Sequence, residues 1–545
     1  MISTVCERNG RLPRPASSCV TTTQLVIAAS IVMMMVLLTS WTIAREIPLP
    51  GVHPLSEIQE IELTYLDNQE IPTATVRGRQ SSNFLVPSSY RPSEPILDLL
   101  MAVDGGRSFG PCQAQRESPA RPLHMKFLDV GLAPCGFAWS LRQQGKDLDG
   151  LSYDVLRIRG STMGQLTIAL ADDTAHRRQD NEVLARVTGR FDLEVPLESV
   201  ARRIDLRRLT QVILLVASDT DITLEECSLR SRRPESVPAP AIGFWLWDYR
   251  SAISDPDRMV ASCLHHDCRR LLLQMPDLRD PDHVWTAYAR LFTIANAAHI
   301  ELFALDGYPE AIQDPVILAD KIERLLALLG ASGLPGVQLD IEPYLLPGFA
   351  EDETGFDRYL AAIDRVKAAL NGHGRLSVVM PFWFTSTIHK NRPIAFTVMD
   401  RVDEVAVMSY RTDVEELAMI GEDTLRYGRL TAVPVWLAME TTRLPTEHHV
   451  VLKRESRAEL ADAFLNAARG TLVLTAPRQV ESPTGTDKWF RIHHRFTTRP
   501  ERITFAGRSR QEVRQAIDQV FSRIHASSLA GILIHDLTGY AALRE

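Results

Sequence analysis

Asp340 and Glu342, in the run Gly336-Val-Gln-Leu-Asp-Ile-Glu-Pro-Tyr344, set two carboxylates two positions apart at the end of an apolar segment. Residues spaced by two share one face of a strand, so both acids point the same way. Unpaired carboxylates in an apolar wall are costly to bury, and a cleft in which one donates a proton while the other stays an anion accounts for them. Sugar chemistry is the natural candidate for such a pair.

The elements that must hold this pair are legible beyond residue 240. Ile242 to Trp247, Arg270 to Met275, His299 to Leu305, Gly336 to Ile341, Arg375 to Pro381, Glu404 to Tyr410, Leu430 to Met439 and Gly531 to His535 read as strands. Helical stretches separate most of them: Pro315 to Leu329 stopped by Gly330, Phe356 to Leu370 ended by Asn371-Gly372, and Glu512 to Ile524 opened by the capping box Ser509-x-x-Glu512. Eight alternations over residues 241–545 predict an α/β fold, a (β/α)8 TIM barrel. Pro434 is tolerable in the seventh strand only if its missing N–H falls near the strand start. Thr471 to Phe505 reads as an insertion before the eighth.

A parallel barrel carries its chemistry at the C-terminal ends of its strands. Strand one ends in Trp245, Trp247 and Asp248, strand three near Asp306 and Tyr308, and strand four in Asp340, Glu342 and Tyr344. Strand five offers Trp383, strand six Tyr410 and Arg411, strand seven Trp436 and Glu440, and strand eight His535 and Asp536. Aromatic faces stack on pyranose rings while carboxylates hold hydroxyls, which suits an oligosaccharide groove. Neither a metal nor a cofactor is required.

Upstream, residues 122–232 read as an all-β sandwich from short β-type runs: Tyr153 to Arg159, Gln165 to Ala171, Phe191 to Leu197 and Gln211 to Ala217. Residues 45–121 read as a stalk or linker, and 233–240 as a Pro-rich linker. Residues 24–44 carry no charge and are long enough to cross a ~30 Å hydrocarbon layer. Arg8, Arg11 and Arg14 before that segment predict a cytoplasmic 1–23 tail, an N-terminal transmembrane helix, and C-terminal domains in the periplasm or exterior. A cleaved signal peptide is the competing reading. The chain is 45% hydrophobic and 23% charged with net charge −8, a balance that argues against a nucleic-acid partner. Of seven cysteines, five follow the apolar segment and cannot all pair within one chain. Cys263-Leu-His-His-Asp-Cys268 is read as a disulfide or buried thiols, with zinc as the alternative. His265, His266, His493 and His494 are read as solvated surface.

Two family resemblances attach to residues 240–545. Asp340, Glu342 and Met408-Ser-Tyr410 resemble the strand-four and strand-six motifs of chitinase-like family 18 glycoside hydrolases. That resemblance implies Glu342 as the acid protonating the leaving oxygen, with Asp340 and Tyr410 steadying an acetamido group that serves as internal nucleophile. The chain departs from the motif at Pro335, Gln338 and Arg411. Glu342 and Glu440 also resemble the acid/base and nucleophile of clan A retaining glycosidases, which implies carboxyls ~5.5 Å apart and double displacement. There Ile341 stands where the clan carries Asn. Farther upstream, Leu148-Asp-Gly-Leu-Ser-Tyr-Asp-Val-Leu-Arg-Ile-Arg159 and Leu166-Thr-Ile-Ala-Leu-Ala-Asp172 resemble the jelly-roll modules that accompany carbohydrate enzymes. A structural β-domain that binds nothing is the competing reading.

The bland roles are specific. Asp340 would accept backbone hydrogen bonds or pair with Arg411, Glu440 would be solvated, Tyr410 would be core, and Trp247 and Trp383 would be packing. The leading expectation is a membrane-anchored glycosidase acting on an extracytoplasmic polysaccharide, with Glu342 as general acid/base. The alternative is a catalytically inactive glycan-binding barrel serving as a scaffold in polysaccharide export or envelope assembly.

Overall fold

The computed structural model describes residues 45–48, 60–66, 73–77, 89–90, 96–101 and, with short breaks, 106–545. The expected 1–23 tail and 24–44 anchor lie outside the described residues. Among the described residues, no helix is long and apolar enough to cross a membrane.

Eight parallel strands close into a barrel in chain order: β1 (Ala241–Leu246), β2 (Cys268–Gln274), β3 (Glu301–Asp306), β4 (Gly336–Leu339), β5 (Arg375–Pro381), β6 (Glu404–Met408), β7 (Val435–Glu440) and β8 (Leu529–His535). β8 returns to β1 with Ile532 opposite Ile242. The helices between them carry the stop and start signals that the sequence contains. Val316–Leu329 ends at Gly330 with φ 68°, Gly355–Leu370 ends at Asn371 with φ 46°, and Arg510–Arg523 begins with the Ser509/Glu512 capping box. Pro434 precedes β7, so its missing N–H interrupts no ladder, and its carbonyl accepts from Val405 N–H at 3.0 Å.

The barrel interior is filled rather than hollow. Trp245, Leu272, Phe303, Leu305, Val379, Ala406, Trp436, Ala438 and Leu533 pack there, each worth roughly 1.5–3 kcal/mol of apolar burial for the larger side chains. Gln338 sits fully buried among them, accepting from Trp245 Nε1–H at 2.6 Å and donating to Ser377 Oγ at 2.9 Å. At the N-terminal end, the Arg270 guanidinium lies between the rings of Phe303 (4.3 Å) and Trp436 (4.4 Å). It also pairs with Glu301 and buried Glu404. This end is closed by charge satisfied internally, which leaves the opposite end for chemistry.

The β region before the barrel is larger than the 122–232 interval read from sequence. Strands from Ser89–Tyr90 onward join an eleven-stranded sheet. Its longest strand, Val155–Asp172, runs through two of the expected short strands without a turn. The first half of that strand pairs with Thr220–Arg230 and the second with Leu209–Val216. The Cys112–Cys135 disulfide ties this region internally, and Cys227 is a buried free thiol. Helix Val414–Thr431, which follows β6, is fastened to it. Arg426 donates to Ser152 Oγ at 2.8 Å and to Asp149, Arg429 pairs with Asp154, and buried Arg207 donates to Thr385 O at 2.6 Å.

The stalk reading of 45–121 is corrected. Arg45–Pro48, Glu60–Leu66 and Thr73–Arg77 are strands of a seven-stranded sheet completed by Glu447–Glu455, Ala463–Asn466, Thr471–Leu474 and Lys488–Thr497 from the insertion between β7 and β8. Ile47, Ile61, Leu63, Leu452, Leu465 and Phe490 form its core. The described residues within 45–77 and 448–496 form one compact unit, and those within 89–447 and 497–545 form the other. Strands this short, whose partners lie about four hundred residues away (Arg45 opposite Leu474), carry no local periodicity to read.

Candidate active site

β4 ends early because the chain turns at its tip. Asp340 N–H donates to Asp306 O at 2.9 Å, and Glu342 leads into a 3-10 turn over Pro343–Leu345. A Cβ at Gly307 would fall 2.1 Å from the Asp340 carbonyl oxygen, so only glycine lets the β3 and β4 ends approach so closely. This tip presents both acids at the C-terminal mouth.

Asp340 is half-buried, and its Oδ1 is buried with no hydrogen-bond partner among the described residues. Burial, with the neighbouring Glu342 charge added, pushes its pKa up to about 7, against a smaller opposing pull from His535. Glu342 is also half-buried, and its Oε1 accepts from the Tyr344 hydroxyl. Burial and Glu342 raise the Tyr344 hydroxyl well above the ordinary tyrosine range, so it remains a donor. Tyr410 is raised for the same reason, with Asp340, Glu440 and Glu342 all acting on it. Arg411 does not neutralise the pair; its Nη1 donates to Tyr410 O at 2.7 Å and its Nε lies 3.6 Å from Glu416.

Glu440 is 3% exposed, with both oxygens engaged. Oε1 accepts from Thr442 N–H at 2.6 Å and Thr442 Oγ1 at 2.7 Å, and Oε2 accepts from His535 Nδ1 at 2.8 Å. His535 Nε2 in turn accepts from Trp247 Nε1–H at 3.0 Å. Burial lowers the His535 pKa, but the Glu440 bond and charge outweigh it, and the net direction is upward. The Trp247–His535–Glu440–Thr442 chain thus spans the ends of β1, β8 and β7. His535 stood in the sequence only as the end of β8; no local motif marks it, and strand-end position is the signal it carries.

Several candidates take other places. Trp245 and Trp436 are core side chains, 2% and 3% exposed, because they point into the filled interior; neither offers a face to a sugar. Asp306 is buried in an ion pair with Lys321 Nζ at 2.5 Å and accepts from Gly307 N–H. Asp248 is exposed and caps helix Tyr249–Ser254, accepting from the Ser251 hydroxyl and from Ser251 N–H at 3.0 Å, and these bonds, the hydroxyl first, lower its pKa. Asp536 caps the last helix through Gly539 N–H at 2.7 Å. Tyr308 keeps a buried hydroxyl with no partner among the described residues, and burial beside Asp306 pushes its pKa up to about 12. Trp383 remains half-buried, edge-on to Tyr344 at 5.0 Å. Cys263 and Cys268 form a disulfide, which removes the thiolates that a zinc reading needs.

No protein-family model matches the sequence, and no curated protein matches it. Among solved structures, the chain is similar to the Bacillus cereus spore cortex-lytic enzyme SleL at 11% identity, covering 58% of this chain and 74% of that one with a TM-score of 0.32. It is similar to the family 18 chitinase ChiB of Flavobacterium johnsoniae at 12% identity, covering 56% and 89% with a TM-score of 0.29. A Bacteroides thetaiotaomicron chitinase matches at 10% identity, covering 55% and 90% with a TM-score of 0.31. The class that the fold defines is a (β/α)8 barrel with appended β domains.

Proposed function

We propose that this chain is a glycan-acting, glycoside hydrolase-like protein, held in a membrane by residues 24–44 with its folded domains outside the cytoplasm, in which Glu342 is the general acid/base. The observation that carries this reading is the Asp340–Glu342 pair. Two half-buried carboxyls lie on one strand tip, among the described residues neither is in an ion pair, and Asp340 titrates near neutrality. Asp340, with its pKa pushed up to about 7 by burial and the neighbouring Glu342, holds a proton part of the time near neutrality, and Glu342 beside it is given the task of handing a proton to the glycosidic oxygen as the bond breaks. The Tyr344 hydroxyl then steadies the Glu342 anion. In this reading Asp340 and Tyr410 steady the acetamido group of the substrate.

Glu440 is given an orienting role toward His535. A carboxylate with both oxygens held and 3% exposure is poorly placed to attack an anomeric carbon, which favours the substrate-assisted route over double displacement. Trp247 and Trp383 remain candidate platforms for the sugar.

The test is a panel of envelope polysaccharides and acetylated or deacetylated oligosaccharides, offered to the full chain and to Glu342→Gln. Loss of cleavage with retained binding supports the enzyme. Binding without cleavage by either form supports the scaffold reading, which the neutral Gln338 in place of an acid favours.

A further inference from the structure

Beside β6, on the mouth side, an open cleft of about 680 Å³ lies between the start of helix Val414–Thr431 and residues 497–503. That volume falls within the roughly 300–1,000 Å³ that small-ligand sites occupy. Three arginines line it, Arg411, Arg499 and Arg502, against one carboxylate, Glu416. Met419 and Ile420, with Ile503, supply its apolar surface. The two walls are fixed to each other, since Thr412 N–H donates to Arg502 O at 2.9 Å and Thr412 Oγ1 to Glu501 O at 2.8 Å.

The charges do not cancel. Glu416 is shared by Arg502 and, more loosely, Arg411. Arg499 is exposed, and among the described residues it has no ion pair. Of the nearby acids that do not line the cleft, Asp413 caps the helix through Glu415 N–H and Glu416 N–H, Glu415 pairs with Arg523 at 3.0 Å, and Glu501 is an exposed residue of the wall segment outside the lining. Two positive charges are left over in a concave site, on a chain of net charge −8. Guanidinium forks match planar and tetrahedral oxyanions with paired hydrogen bonds, which lysines and isolated charges do not. Arg411 connects the cleft with the mouth. It follows Tyr410, whose ring is 6.3 Å from that of His535, and it lies 5.3 Å over the Phe382 ring next to Trp383.

We propose that this cleft binds the acidic substituent of an anionic polysaccharide, a uronate carboxylate or an ester sulfate or phosphate, carried by the same chain whose backbone lies across the barrel mouth. The proposal rests on reading the mouth as a glycan site, and it narrows the substrate class to acidic glycans.

The experiment measures binding of the full chain to polygalacturonate, its methyl ester, dextran sulfate and dextran, and to vesicles containing an anionic phospholipid, across a salt series. The parent and the variants Arg499→Gln, Arg499→Gln/Arg502→Gln and Arg499→Lys are compared. Arg499 is exposed, so its replacement leaves the fold intact, and a thermal melt checks this. The expected result is preference for an acidic chain over its neutral counterpart, reduced about tenfold for each arginine lost, the equivalent of one charge-assisted hydrogen bond. Arg499→Lys retains part of it. Polygalacturonate and dextran sulfate distinguish carboxylate from sulfate recognition. Equal affinity for neutral and acidic chains overturns the cleft proposal and leaves the glycan reading standing. Failure to bind any glycan overturns both, and arginine-dependent binding to vesicles alone reassigns the cleft to a lipid surface.

Discussion

His535 Nδ1 donates to Glu440 Oε2 at 2.8 Å while His535 Nε2 accepts from Trp247 at 3.0 Å, so one imidazole joins the last barrel strand to the seventh and the first. Both ring nitrogens are committed, which fixes the tautomer with its proton on Nδ1. A buried carboxylate and an indole thereby define one wall of the mouth.

Removing this imidazole leaves Glu440 buried with one oxygen unpaired. His535→Ala is expected to lose about 1–3 kcal/mol of stability by urea denaturation, whereas His535→Asn, which can return an N–H to Glu440, recovers part of it. A variant as stable as the parent would show that the bond does not hold the wall.

Asp340 makes stability depend on pH in a definite direction. Its folded pKa, about 7, lies above the ordinary 3.8, so between those values the folded state binds more protons than the unfolded one. The contribution is fully present below about pH 4 and is lost as pH rises to about 7. Asp340→Asn should therefore match the parent near pH 4 and gain on it above pH 7, by on the order of 4 kcal/mol. Denaturation at four pH values decides this, and a constant difference would place the titration elsewhere.

Glu342→Gln keeps the size and the Tyr344 contact but carries no transferable proton. Turnover on any glycan that the parent cleaves should fall about 10²–10⁴-fold, the range of general acid catalysis, with the dissociation constant little changed. Undiminished turnover would remove Glu342 from the mechanism.

The tryptophans should divide by location. Trp245→Ala opens a cavity in the filled barrel and deprives Gln338 of its donor, costing about 3–5 kcal/mol. Trp383→Ala, at the half-buried mouth, should instead weaken glycan binding with a smaller loss of stability. Calorimetric melts and binding isotherms on both variants separate the two effects, and the reverse pattern would exchange their roles.

The barrel was legible because its signals are local. Apolar runs of strand length, Gly330, Asn371-Gly372 and the Ser509/Glu512 box are read within a few residues, and the three helix signals stand where the sequence indicated, whereas the seventh run, read from Leu430, is helical to Thr431 and becomes strand only at Val435. The β4 acids belong to the same class: a spacing of two at a strand end already puts Asp340 and Glu342 on one tip. The misreadings are of another kind. Trp245 and Trp436 lie on strands that do reach the mouth, but depth along a strand decides whether an aromatic ring meets sugar or core, and sequence alone does not reveal it.

Residues 45–77 are the clearest case. Taken alone they are short, polar and broken by proline, yet Arg45–Pro48 pairs with Thr471–Leu474 and Glu60–Leu66 joins the same sheet. Sequence by itself determined the eight-stranded alternation and the paired acids, because strand periodicity and capping act between near neighbours. Tertiary structure alone decided that Glu440 is held by His535, that Asp306 is neutralised by Lys321, and that the amino-terminal strands complete a sheet with the late insertion. Those outcomes depend on hydrogen bonds and burial between residues that only folding brings within a few ångströms of each other.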